Sequence, residues 1–277
     1  MFQSLRKILI VIGIVLVNSM FAFSYTINKD SQSVESKHSF KFTTQIGNNV
    51  IQNGRKQATN QLYLRPSLMY YHIKGFYAGT YITIVPSNKK NRLDNIRWNT
   101  GYDYDIGDHL SLGIDYSYSQ YFTTNQVTSS APHCIMLSAT WYGNLITPSI
   151  YEIFNLGSTN DFTTNIDFSH VFIKRNFLHS KGKLSIPLNI GTFYGSSNYY
   201  NNYAKNNKLT DKKGNPLPLN SLSTTANEFT GFYVSLTLKY KISNFAVSSN
   251  VTMNNQLEQK KYVIQTPVWK IMLAYYL

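Results

Sequence analysis

Strict alternation of apolar and polar side chains, repeated in segment after segment of roughly ten residues, narrows this chain to very few architectures. About twelve such segments follow one another, and helical periodicity is nowhere comparable. The last one sets the pattern: Trp269, Ile271, Leu273, Tyr275 and Leu277 share one face, while Lys270, Met272, Ala274 and Tyr276 share the other. Strand side chains alternate, so a segment of this kind can close a barrel.

The same rule reads the rest of the chain. Phe40, Phe42, Thr44 and Ile46 stand opposite Lys41 and Gln45, and Leu62, Leu64, Leu68 and Tyr70 stand opposite Tyr63, Arg65, Ser67 and Met69. Phe76 to Val85 is a third strand with apolar groups on both sides, so its facing stays open. Ile96, Trp98, Tyr102 and Tyr104 oppose Arg97, Asn99, Gly101 and Asp103, and the Leu110 to Ser119 segment alternates without a fault. Ile135 to Trp141, Leu145 to Phe154, Ile166 to Phe172, Leu184 to Ile190, Phe232 to Tyr240 and Phe245 to Val251 complete the series.

Connections alternate in length. Those at His72 to Gly75, Ile106 to Asp108, Gly143 to Asn144, Ser180 to Gly182 and Ile242 to Asn244 are tight, and the others are longer and rich in Asn, Ser, Thr, Gly and Lys. Short turns at one end and long loops at the other are the mark of an all-β, antiparallel, up-and-down transmembrane barrel with periplasmic turns and external loops. A soluble sandwich is the competing architecture, but it has no reason to segregate its long loops so regularly.

If the apolar face meets lipid, the polar face lines a lumen. That assigns Lys41, Arg65, Arg97, Asp103, Asp115, Asp167, Lys239 and Lys270 to the lumen wall. Gly101, Gly113, Ser117, Ser119 and Gly191 are small and leave room for a hydrated passage, with Arg and acid pairs narrowing it.

Arg6 and Lys7, the uncharged run from Ile8 to Val17, and Ala22 with Ser24 compose a secretory signal over residues 1–24. A polar leader follows at 25–37, and 38–277 is the barrel. With 22 Tyr and 16 Phe against 14% charged residues, strands and interface belts are favoured over a soluble helical protein. One Cys, Cys134, excludes an intramolecular disulfide. The net charge is +13, and much of it falls in the long connections: Arg55 and Lys56; Lys89, Lys90 and Arg92; Lys205, Lys208, Lys212 and Lys213; Lys260 and Lys261. Outside an outer membrane such loops would meet lipopolysaccharide phosphates. No basic helix or recognition motif points to nucleic acid.

The segment from Gly195 to Glu228 is too long for an ordinary hairpin loop. It carries Tyr199, Tyr200 and Tyr203 among Asn residues, then Lys212 and Lys213. Three roles are open to it: a constriction folded into the lumen, an external ligand surface, or a solvated loop. Catalytic motifs, paired Cys and phosphate-binding Gly loops are absent, so no enzyme activity, cofactor or metal is expected. Ser169 beside His170 cannot form a dyad, because neighbours on a strand point to opposite faces. Glu152, Asp167 and Asp115 could form an acidic set, though lumen carboxylates facing cations are ordinary in pores.

Gly75-Phe76-Tyr77-Ala78-Gly79 after a short turn, Gly101-Tyr102 on the following strand, the Ile106-Gly107-Asp108 turn and Thr147-Pro148-Ser149 together resemble the TorF-type porins of Gram-negative bacteria. The likeness covers the first half of the mature chain, and the Arg-Gly pair expected in that family's first external loop is not evident. It implies passive or gated uptake of small solutes. Read with the lumen charges, the expectation is a monomeric outer-membrane channel with a weak anion preference. The alternative is a closed structural or adhesive barrel whose basic, Asn- and Tyr-rich loops bind a surface partner or lipopolysaccharide.

Overall fold

The computed structural model describes residues 38–48, 51–52, 55–56, 62–86, 92–122, 132–157, 160–196, 228–258, 261–264 and 267–277. The proposed signal, the leader and the loop residues Tyr199, Tyr200, Tyr203, Lys212 and Lys213 lie outside them. The strands are β1 (His38–Gly47), β2 (Ile51–Gln52), β3 (Arg55–Lys56), β4 (Tyr63–His72), β5 (Phe76–Val85), β6 (Arg92–Ile106), β7 (Leu110–Tyr121) and β8 (His133–Trp141). They continue with β9 (Thr147–Leu156), β10 (Asp161–Arg175), β11 (Gly182–Gly195), β12 (Glu228–Ile242), β13 (Phe245–Glu258), β14 (Lys261–Ile264) and β15 (Val268–Tyr276).

Twelve of these close into one antiparallel ring, β1, β4 to β13 and β15. Each pairs with the next barrel strand along the chain, and β15 returns to β1 with Phe42 opposite Tyr275. At that seam Phe40 and Leu277 exchange both backbone hydrogen bonds, at 2.9 Å each. Closure satisfies the ladder of every barrel strand on both sides, which a polypeptide crossing hydrocarbon requires. The short pairs β2–β3 and β13–β14 lie at the end where the long connections are.

Turn chemistry explains the tight end. Gly75 adopts φ 97° and its N–H donates to His72 O, and a side chain there would strike the Asp103 carbonyl, whose own N–H donates to Gly75 O. Gly107 supplies the left-handed residue of the β6–β7 turn, and Ser243 that of the two-residue β12–β13 turn.

The two faces are inverted relative to a soluble protein. Among the described residues, six buried side chains are apolar and fourteen are polar or charged. Phe42, Leu112, Ile114, Leu236, Leu238, Ile271 and Leu273 are all exposed on the outside. Two aromatic belts bound this surface. Near the short turns it carries Phe40 against Tyr70, Tyr70 against Phe76, Trp141 stacked on His109, His170 edge-on to Phe172, and Phe245 against Tyr275. Near the long connections it carries Trp98 stacked on Tyr118, Phe154 against Phe162, and Tyr194 edge-on to Phe229. An apolar band between aromatic girdles is the exterior of a membrane-spanning barrel, which a soluble sandwich cannot present.

Candidate functional site

The open question about β5 is settled by what its side chains touch. Tyr77 donates to the Asp115 carboxylate at 3.1 Å, Tyr81 accepts from Arg97, and Thr83 accepts from Arg65 at 3.1 Å. All three point inward, so Phe76, Thr80 and Ile82 face out. A bulge between Thr83 and Ile84 inserts Asp94 into the β6 side of the ladder.

The residues assigned to the lumen wall from the sequence are placed by ladder register and by their contacts. Lys41 stands opposite Tyr276, and its ammonium group is 5.6 Å from that ring. Arg65 is held between two tyrosines, with its guanidinium carbon 4.9 Å from the Tyr63 ring and 4.8 Å from Tyr81. Arg97 donates to the Tyr81 hydroxyl at 3.0 Å and to Ser117, which is almost fully buried. The shared Tyr81 ties Arg65 and Arg97 into one ladder across β4, β5 and β6. Lys239 and Lys270 face inward because Leu238, Trp269 and Ile271 face out. Asp103 sits opposite Gly113, Asp115 beside Tyr77, and Asp167 opposite Gly191.

One expectation needs correction. The small wall residues do not stand for open space. A side chain added at Gly101 would collide with the Tyr77 ring, one at Gly191 with Tyr233 and Asp167, one at Gly47 with Tyr63, and one at Gly79 with Met69. In all four cases the glycine lies directly across the ladder from the bulky residue. The glycines are seats into which large lumen side chains fold flat against the wall, a way of covering glycine in a sheet. The contacts that fix Arg65 and Arg97 run to tyrosine rings and to hydroxyls, and Asp115 lies within electrostatic reach of Arg97.

The suggested acidic set also divides. Glu152 lies opposite Leu137 and Thr164 on the outward face, and the Thr164 hydroxyl donates to it at 2.9 Å. Asp115 and Asp167 are on the other side of the wall. Ser169 and His170 do point to opposite faces: Ser169 donates to Thr147 O, whereas His170 joins the outer aromatic belt and bonds Leu145 O.

Sequence reading missed how the charges sort around the ring. On β11, β12, β15, β1 and β4 the inward face carries Lys183, Lys239, Lys241, Lys270, Lys41 and Arg65. The inward side chains described on these strands and on the intervening β13 include no Asp or Glu. β6 and β7, across the ring, and β10, which borders β11, carry Asp103, Asp105, Asp115, Asp161 and Asp167 on the inward face, with Arg97 and Arg175 as cations among them. The pairs β6–β7 and β12–β13 are diametrically placed in the ring, four strands apart either way. Lys183, Lys241 and Asp105 were not picked out from sequence, though Lys241 and Asp105 repeat the alternation of Lys239 and Asp103 two residues earlier.

Among the described residues, no cluster of three or more His, Cys, Asp and Glu could hold a metal ion. Cys134 is half-buried on the wall opposite Ser117.

No family model matches the chain, and no curated protein does. Among solved structures it is similar to the NanC porin at 8% identity and TM-score 0.49, covering 85% of this chain and 100% of that one. It is similar to the KdgM porin at 10% identity and TM-score 0.47, covering 86% and 98%. An outer membrane channel from Pseudomonas putida F1 matches at 7% identity and TM-score 0.42, covering 91% and 100%.

Proposed function

We propose that this chain is a monomeric, porin-like channel of the bacterial outer membrane for passive diffusion of small solutes, with a weak preference for anions. The observation that carries the reading is the lumen wall. The charged groups named along the lumen wall point inward, Glu152 being the exception on the outer face, and the named cations outnumber the named carboxylates. Arg65, Arg97, Lys239 and Lys270 set the field, and Asp103, Asp115 and Asp167 offset part of it. Each of the twelve ring strands contributes an apolar or aromatic group to the exterior, which suits a barrel wrapped by lipid on all sides. The TorF-type likeness of the turn motifs implies the same small-solute traffic.

Single-channel conductance of residues 25–277, refolded into a planar bilayer under a salt gradient, tests the reading. The expected result is steady conductance with a reversal potential displaced toward anions. A folded barrel that passes no current would overturn it, and would favour the alternative of a closed barrel holding a surface partner or lipopolysaccharide through its loops. Deleting residues 199–219 then separates the two, since a channel persists and a loop-borne binder loses its ligand.

A further inference from the structure

Gln45 and Gly47 are successive inward residues where β1 approaches the long connections. Gln45 lies opposite Arg65 on β4, and Gly47 lies between Tyr63 on β4 and Lys270 on β15. A side chain on Gly47 would meet the Tyr63 ring, so that ring leans over β1 toward β15, and the Gln45 amide donates to its hydroxyl. Arg65 stacks against this ring, at 4.9 Å, and against Tyr81, at 4.8 Å, while its Nε–H donates to Thr83. Among the described residues no acceptor takes the terminal amino groups of Arg65. Lys270 is exposed and lies within electrostatic reach of Arg65, and neither cation pairs with a carboxylate among the described residues. Arg97, the next cation along this wall, differs: its guanidinium donates to Tyr81 and Ser117 and has Asp115 within reach.

Two like charges held within reach of one another repel, and an anion between them relieves that repulsion. We propose that Arg65 and Lys270 form a carboxylate subsite in the long-connection half of the lumen: the open edge of the Arg65 guanidinium takes both oxygens of a small organic acid's carboxylate, and the Lys270 ammonium supplies the second charge. A guanidinium is a planar fork whose geometry matches a carboxylate, whereas chloride offers it a single centre. The rings of Tyr63 and Tyr81 fix the plane of that fork before a solute arrives and leave its charge intact, so little ordering remains to be done on binding. This subsite rests on the channel reading and adds to it a place and a solute class.

Succinate is the probe, added to a bilayer in which a single wild-type channel carries chloride current. Concentration-dependent interruption of that current is expected. Arg65→Lys keeps the charge and loses the fork, so the succinate concentration for half-block should rise about tenfold. Absence of block in the wild type, or the same half-block concentration in Arg65→Lys, overturns the subsite, while the chloride conductance still supports the channel reading. Heat-modifiable migration on gels shows whether each variant is folded. Should Arg65→Lys fail to fold, Lys270→Gln decides: weaker block supports the subsite, and unchanged block overturns it. If the wild type passes no current, the channel reading falls, and calorimetry of succinate with the refolded protein in detergent decides the subsite alone. Binding heat that is lost in Arg65→Lys supports it, and heat absent from the wild type or equal in the variant overturns it.

Discussion

The basic and acidic walls of the lumen are made by the same fold and solve opposite problems. The basic wall, running from β11 through β12, β13 and β15 to β4, keeps its cations apart with aromatic rings: Arg65 between Tyr63 and Tyr81, and Lys41 and Lys241 about Tyr276. The acidic wall tucks its carboxylates beside tyrosine and glycine: Asp115 beneath the Tyr77 hydroxyl, and Asp167 against Gly191 under Tyr233. Both walls hold their charges half-buried, Lys41, Arg65 and Lys239 on one and Asp115 and Asp167 on the other. The difference in number is what the proposed preference for anions rests on.

The largest expected effect comes from erasing the difference. Lys239→Glu with Lys270→Glu places acids on the basic wall, and the reversal potential in a salt gradient should move to the cation side. Unchanged selectivity would remove these residues from the conduction path. Next comes the seating of the acidic wall: Gly191→Val drives a side chain into Tyr233 and Asp167, and should cost about 1–3 kcal/mol in a urea unfolding series. At the border between the walls, Tyr81→Phe keeps the ring beside Arg65 but removes the hydroxyl that accepts from Arg97. A loss of about 1–2 kcal/mol is expected from the same series, and no loss would mean that Ser117 alone holds Arg97. The smallest effects separate lumen acid from lipid-side acid. Asp115→Asn should shift the reversal potential slightly further toward anions, while Glu152→Gln should leave it unmoved. Glu152→Leu should gain about 1 kcal/mol of stability, because a carboxylate facing hydrocarbon is unfavourable.

Much of the barrel was legible because alternation is a local property. The Leu110 to Ser119 segment gives its faces away residue by residue, and the structure keeps them. The strand from Phe76 to Val85 does not: Thr80 and Thr83 differ in facing although their chemistry is the same, and partners on other strands, Arg65, Arg97 and Asp115, decide the matter. Glu152 was misplaced for a related reason, since a polar residue on the apolar face breaks the rule that sequence reading relies on. Segregation of charge could not be read at all. It depends on which strands are neighbours and which are opposite in the ring, and that information lies in register and closure. The glycine seats show the same limit, since a glycine looks like space until the residue across the ladder is known.

The seam has a consequence for how such a molecule comes into being. β1 and β15 are joined by residues more than two hundred positions apart, as Phe42 and Tyr275 are. Contacts of such sequence separation form late and slowly. Before they form, β1 and β15 are raw edges able to recruit any passing strand, including one from another chain. Biogenesis thus hinges on a single late docking event, and a lesion anywhere along β15 would be felt less as lost stability than as time spent open.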